Sequence, residues 1–237
     1  MQQTAEELQR SNRDLEQFAY VASHDLQEPL RAVGGYVKLL QRRFPGLVDP
    51  KAEEYILGAA DGAARMERLI TDLLDFARVG TRGSALAVTS LSTVLDEALD
   101  NLQASLEAAG ARVTRDPLPS LKVDPTQLMQ LFQNLVANAL KFRRAAPPQI
   151  HIGARHQDGR WVFSVQDNGI GIAPQYFQRI FQIFQCLHTR KQYPGTGIGL
   201  AICQRITERH GGSIWVESEL GRGSTFYFSI PEIPAIR

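Results

Sequence analysis

The chain has 237 residues, with 26 Lys and Arg against 25 Asp and Glu and a formal net charge of +1. That balance provides no global field for nucleic acid or an anionic membrane surface, and 43% hydrophobic with 22% charged residues is ordinary for a folded globular protein. No apolar run approaches the roughly 18 residues of a membrane span, the N-terminus lacks a basic-then-apolar leader, and Cys186 and Cys203 have neither metal-site nor redox-motif spacing, so a cytoplasmic setting is expected.

Residues 4–43 read as one long helix. Leu8, Leu15, Phe18, Ala22, Leu26, Leu30, Val33, Val37 and Leu40 recur mostly at three and four, the helical period. His24 lies two residues from both Ala22 and Leu26, roughly 200° around from each at about 100° per residue, so it should face solvent. Asp25 places a carboxylate beside the imidazole, where it could hold a tautomer and accept a proton. Glu28 is one turn on, on the same face. Pro29 has no N–H for the carbonyl of Asp25, and its ring crowds that carbonyl, so the helix should bend or loosen there.

Residues 44–50 hold two prolines and a glycine and read as a turn. A second helix is predicted from 50, with proline in a favoured first-turn position, to 78. Its seam, Ile56, Ala59, Ala63, Met66, Ile70, Leu73 and Ala77, alternates threes and fours as in a heptad. Two helices joined by a short turn form an antiparallel hairpin. One hairpin cannot cover both of its apolar stripes, and pairing with a second copy makes a four-helix bundle, which predicts a homodimer.

Residues 80–84 form a small, flexible linker. Beyond it, a strand near 86–89 leads to a helix over 92–109 and strands over 111–115 and 120–123. Asp124-Pro125 opens a helix reaching 142. Strands over 151–156 and 161–166, a loop-rich region over 167–196, a helix over 197–210 and strands over 213–217 and 224–230 complete the pattern. The expected fold is thus multidomain: an all-α hairpin (1–79), a linker (80–84) and an α+β sandwich with helices on one face of a mixed sheet (85–237).

Four segments of the second domain carry candidate chemistry. Asn134, Asn138 and Lys141 recur at four and three, so one helix face presents two amides and a cation. Amide oxygens suit a hard ion such as Mg²⁺, and lysine can neutralise phosphate. Asp167-Asn168-Gly169-Ile170-Gly171 ends a strand, and its carboxylate could accept from an exocyclic amine such as that of adenine. Phe177 to Phe184 precedes a polar segment containing His188, Arg190 and Lys191, which reads as a lid with an apolar hinge. Gly195-Thr196-Gly197-Ile198-Gly199-Leu200 opens a helix, where backbone N–H groups bind phosphate. No Walker motif is present, and the glycine run lacks the strand that a dinucleotide fingerprint requires before it.

Together these residues resemble a sensor histidine kinase. Ser23-His24-Asp25-Leu26-Gln27-Glu28-Pro29-Leu30-Arg31 is similar to the phosphoacceptor box, the stretch from Asn134 to Lys141 to the N box, and Phe177 to Phe184 to the F box. Asp167-x-Gly169-x-Gly171 and Gly195-Thr196-Gly197-Ile198-Gly199 are similar to the two glycine boxes. The acceptor box and the stretch from Leu187 to Gly197 look most like the phytochrome-type subgroup. The resemblance implies a dimeric four-helix bundle followed by a Bergerat-type ATP-binding sandwich, and autophosphorylation from Mg²⁺-ATP. Transfer to an aspartate of a response-regulator receiver domain would follow.

Carried over residue by residue, His24 is the phosphoacceptor and Asp25 its acid/base partner. Asn138 and Asn134 are the Mg²⁺ ligands, Asp167 reads adenine with support from Thr225, and Lys141 with the amides of Gly197 and Gly199 holds phosphates. Gly169, Gly171, Gly195, Thr196 and Leu200 complete the nucleotide site, and Glu28 and Pro29 modulate the acceptor. Related ATPases carry a water-activating glutamate where this chain has Asn134, so hydrolysis should be slow. Many family members place Thr or Asn where Glu28 stands, and a carboxylate fits their dephosphorylating role poorly, which weighs against phosphatase activity. The input signal is expected from a sensor domain or protein outside this chain. An ATP-driven clamp of the same superfamily and a phosphotransfer scaffold with a decayed ATP domain are the competing readings. The first gives Asp25 and Pro29 no task, and the second leaves the intact Asn138 and Asp167 unexplained.

Overall fold

The computed structural model describes residues 26–27, 29–40, 42, 50–81, 85–189, 192–193 and 195–232. His24, Asp25 and Glu28, with the turn over 44–49 and linker residues 82–84, lie outside them. The chain divides into two units, the first ending at Thr81 and the second beginning at Arg82.

In the first unit, residues 29–40 are helical (α1), and Pro29, exposed, is the first residue of that stretch. Helix α2 runs Pro50–Thr81. It continues three residues beyond the predicted end at Arg78. Arg78 favours the negative end of the helix dipole, and the single glycine that follows, Gly80, costs a helix only about 1 kcal/mol. The two helices pair where small residues permit. A Cβ added at Gly34 would lie 3.8 Å from the Cβ of Ala63, and Arg31 Nε sits 3.7 Å from Glu67 Oε1. Much of the apolar surface stays uncovered: Val33, Tyr36 and Leu39 on α1 and Tyr55, Leu57 and Met66 on α2 are exposed.

The second unit begins with β1 (Ala87–Ser90), antiparallel to β3 (Ser120–Val123) in a two-stranded sheet. Ser90 caps the next helix through its side chain. The helix predicted over 92–109 resolves into α3 (Leu91–Asn101) and α4 (Gln103–Ala109). The break is at Leu102, whose N–H reaches back three residues to Leu99 O. That tightened turn re-aims α4, and Leu106 is buried. Gly110 at φ 60 then closes α4. Asp124 accepts from the N–H groups of Thr126 and Gln127 and starts α5 (Pro125–Lys141), with proline in its first turn.

A five-stranded sheet in the order β2-β4-β5-β7-β6 forms the other layer. Its strands are β2 (Arg112–Arg115), β4 (Gln149–Gln157), β5 (Arg160–Asp167), β6 (Ile214–Glu219) and β7 (Gly223–Pro231). β2 is parallel to β4, and the other neighbours are antiparallel. Asp158 and Gly159, both at positive φ, turn β4 into β5, the conformation a two-residue hairpin loop needs. Alternation sets the core. Ile150, Ile152, Phe163, Val165, Phe226 and Phe228 are buried on one face, under Leu128, Leu131, Phe132 and Leu135 of α5 and Ile202 and Ile206 of α6 (Gly199–Arg209). Phe228 stacks on Phe163 at 4.7 Å and meets Phe132 edge-on at 5.7 Å, joining sheet to helix. This is the α+β sandwich the pattern predicts.

Candidate nucleotide-binding site

Asp167 ends β5 at the rim of the sheet, half-buried. Its Oδ1 accepts from the N–H of Gly169 at 2.7 Å and of Ser224 at 3.2 Å. Burial, the larger effect, holds the carboxyl above its ordinary value of 3.8, while the two donors pull it the other way. Oδ2 takes no hydrogen bond among the described residues, so one acceptor oxygen remains for a ligand. The loop behind it admits only glycine at its close approaches. A Cβ at Gly169 would sit 2.5 Å from Phe142 O, and at Gly171, φ +74, it would strike the carbonyl of Glu219. Ile170 N–H bonds Phe142 O at 2.9 Å, and Gly221 N–H bonds Ile170 O at 2.8 Å. The Asp167 loop is therefore stitched to the end of α5 on one side and to the β6–β7 turn on the other.

The polar face of α5 is as the spacing predicts. Asn134 and Asn138 are half-buried within a helix whose other face is core. Asn134 Oδ1 lies 3.3 Å from where a Cβ of Gly199 would stand, so this glycine lets the first turn of α6 come down onto the amide. Asn134 Nδ2 is buried without a partner. The start of α6 has no side-chain cap at Ile198. An unpaired buried donor beside an uncapped helix start forms a polar cradle that lacks an acceptor, which fits phosphate oxygens. The predicted helix start at Gly197 moves to Gly199, because Gly197 is left-handed at φ +76. Gly197 also packs against the backbone of Phe184 and Gln185, so the two ends of the predicted lid meet there.

Lys141 closes the site. Burial pushes its ammonium below the ordinary 10.5, its Nζ lies 4.6 Å from the Phe142 ring centroid, and a Cβ at Gly195 would collide with it. Phe142 also carries the lid: its ring meets Tyr193 at 5.1 Å and His188 at 6.1 Å. A short 3₁₀ turn, Pro174–Tyr176, precedes the candidate F box, which itself holds a second, Arg179–Phe181, with Ile180 buried. Thr196 and Leu200 are half-buried around this opening.

One predicted contact is corrected. Thr225 pairs across the sheet with Gln166 and Glu217, which puts it on the face opposite Asp167. The neighbour Ser224, buried, takes its place. Its N–H reaches Asp167, and its hydroxyl lies 3.0 Å from Ser218 Oγ. Phe142 is the other residue that spacing alone passed over. Its signal was available: it follows Lys141 directly, at the end of the polar face.

The donor set also suits magnesium. No group of three or more His, Cys, Asp and Glu gathers into a metal site among the described residues. Two amide oxygens beside a phosphate cradle, with the Asn138 side chain free of hydrogen bonds among the described residues, match an ion that keeps its waters and takes few protein ligands.

Residues 14–82 match the His Kinase A (phospho-acceptor) domain, and residues 123–234 match the histidine kinase-, DNA gyrase B- and HSP90-like ATPases. The chain belongs to the histidine kinase family. Among curated relatives of this family it is 55% identical over 229 residues to cyanobacterial phytochrome A of Nostoc sp. and 52% identical to phytochrome-like protein Cph1 of Synechocystis sp., 97% of the chain being covered in each case. It spans only 30% and 31% of the length of those histidine kinase relatives. Among solved structures, full-length ShkA in complex with AMPPNP aligns with a TM-score of 0.70 at 30% identity, covering 92% of this chain and 46% of that one. The catalytic domain of histidine kinase ThkA aligns with a TM-score of 0.55 at 26% identity, covering 63% of this chain and 97% of that one. No helix among the described residues is long and apolar enough to cross a membrane.

Proposed function

We propose that this chain is the kinase core of a two-component system: it phosphorylates His24 from Mg²⁺-ATP and passes the phosphoryl group to an aspartate on a response-regulator receiver domain. The observation that carries the reading is a carboxylate with one free oxygen at Asp167, whose loop is bonded through Ile170 to the end of α5, the helix whose Asn134 forms a phosphate cradle with Gly199. ShkA, bound to AMPPNP, supports a nucleoside triphosphate as the occupant.

The Asp167 carboxylate accepts from the exocyclic amine of adenine through its free oxygen. The first N–H groups of α6 and the Lys141 ammonium neutralise the phosphates. Bound Mg²⁺ would supply further positive charge to offset that of the phosphates, with Asn138 and Asn134 as its protein ligands. At position 134 the amide has no basic site, so water is not activated and the phosphoryl group is kept for an incoming nucleophile. A nitrogen of the neutral His24 imidazole attacks the γ-phosphorus. The N–P bond forms as the bond to the bridging oxygen breaks, and ADP leaves with that electron pair. Asp25 orients the ring and holds the proton of its other nitrogen. Such a transfer depends mainly on in-line positioning and charge neutralisation, and the linker that follows Thr81 supplies the freedom for the ATP domain to reach His24.

The exposed stripes of α1 and α2 support a homodimer through a four-helix bundle. The chain acts in the cytoplasm under a sensor domain or protein, Pro29 loosens the acceptor helix, and Glu28 disfavours phosphatase chemistry. Incubation with radiolabelled Mg²⁺-ATP tests the reading. Label that is acid-labile, alkali-stable and lost in His24→Ala is expected; absence of label in the wild type, or full label in His24→Ala, overturns it.

A further inference from the structure

We propose that Arg144, outside the nucleotide pocket, is a positioning residue that clamps the two loops feeding hydrogen bonds to Asp167 and so sets adenine selectivity. Arg144 follows α5 by three residues. Its Nε donates to Asn168 O at 2.9 Å and its Nη1 to Gly221 O at 2.6 Å. Asn168 lies between Asp167 and the donor Gly169, and Gly221 opens the turn that leads to the donor Ser224. One rigid guanidinium fork thus spans the two segments whose N–H groups must converge on Asp167 Oδ1.

The clamp is reinforced at both feet. The Asn168 side chain accepts from Gln149 N–H at 2.9 Å and donates to Pro147 O at 3.1 Å. Gly221 N–H bonds Ile170 O. Arg144 has no carboxylate partner among the described residues, so its donors serve the two carbonyls rather than an ion pair. The neighbouring Arg143 differs: its Nη1 reaches Ala109 O at 3.3 Å, away from this loop. Without the fork, the β6–β7 turn and the Asp167 loop lose a shared anchor. The two N–H groups on Oδ1 then loosen, and the carboxylate becomes both less ordered and less acidic.

This inference rests on the proposed reading of adenine by Asp167. The experiment measures binding of ATP and of inorganic tripolyphosphate to the full chain across pH, for the wild type, Arg144→Ala, Arg144→Lys, Arg143→Ala and Asp167→Asn. Loss of charge-assisted bonds at the clamp should weaken ATP by about three- to tenfold in Arg144→Ala. The acid limb of the affinity profile should move to higher pH, tripolyphosphate should bind as in wild type, and Arg143→Ala should behave as wild type. Arg144→Lys keeps the charge but loses the fork, so it should resemble Arg144→Ala. Wild-type behaviour of Arg144→Lys, equal loss of tripolyphosphate, or a fall in melting temperature with the pH profile unmoved would overturn the clamp. If Asp167→Asn bound ATP as wild type does, the Asp167 reading itself would fall, and the clamp with it.

Discussion

The backbone N–H of Asp124 donates to Nε2 of His210 at 3.0 Å, joining the start of α5 to the end of α6. His210 Nδ1 lies 2.7 Å from Ile206 O, so the ring is neutral with its proton on Nδ1. The carboxylate of the same Asp124, 1% exposed, pairs with Arg209 at 3.1 Å. The two helices that present Asn134 and Gly199 are therefore locked at the end remote from the cradle.

This lock predicts acid sensitivity. Burial, chiefly, pushes His210 below its ordinary 6.5, with Arg209 adding to the shift and Ile206 O and Asp124 opposing it. As pH falls, the unfolded chain takes the proton first, so unfolding becomes easier. The contribution is complete above about pH 6.5 and is lost progressively below it, toward the depressed value of the folded protein. Chemical denaturation of the full chain between pH 7.5 and pH 5, read as roughly one pH unit per step, should show stability falling. His210→Gln, which keeps an acceptor without titrating, should flatten the slope. An equal slope in both proteins would refute the assignment.

Asp167 titrates with the opposite sign for stability and a direct consequence for binding. Burial raises its carboxyl above 3.8, so its ionisation opposes folding as pH rises through that raised range. On the proposed reading of adenine by Asp167, only the ionised form is a full acceptor. ATP affinity should therefore begin to fall at a higher pH than an ordinary carboxylate would dictate. Asp167→Asn should weaken ATP by about 30-fold or more, from loss of a hydrogen bond to a charged group worth about 2 kcal/mol. Isothermal titration of the two proteins at pH 7 and pH 5 measures both effects.

Legibility in the sequence followed the range of the interactions. Asp124-Pro125 announced α5, and the four-and-three spacing of Asn134, Asn138 and Lys141 placed them on one face, because helix periodicity is local. Thr225 was placed wrongly because its face depends on register. Pairing with Gln166 rather than with Asp167 is a long-range fact, and a one-residue difference in parity moves a side chain through the sheet. The break at Leu102 and the fork of Arg144 are likewise products of packing between distant segments. The reading of His24 rests on the motif alone, since His24 and Asp25 lie outside the described residues.

Two glycines of the site should respond differently to alanine. At Gly195 the added Cβ meets only the Lys141 ammonium, the far end of a flexible chain. The fold should keep its stability within about 0.5 kcal/mol, while displacement of Lys141 weakens triphosphate binding by up to about tenfold. At Gly171 the Cβ meets the backbone of Glu219 at a left-handed φ of +74, and nothing there can yield. Gly171→Ala should cost about 2 kcal/mol or more of stability. Thermal melts paired with nucleotide titration separate the two outcomes; a stable Gly171→Ala protein with normal binding would contradict the stitched loop.

The proposed function assigns to Asn134 the choice between keeping and hydrolysing ATP. Its amide lies at the start of α6, with one donor unpaired and no basic atom. A carboxylate at this position would be partly desolvated and so raised toward neutrality, the condition for a general base. Such a base is worth about 10² to 10⁴ in rate when well placed, and less where the geometry is unrefined. In a His24→Ala background, Asn134→Glu should raise the release of inorganic phosphate from ATP by about tenfold or more. The measurement is made at saturating nucleotide, with binding confirmed separately, so a repelled triphosphate is not mistaken for a failed base. A variant that binds ATP but hydrolyses no faster than His24→Ala would show that position 134 does not govern the choice between water and histidine.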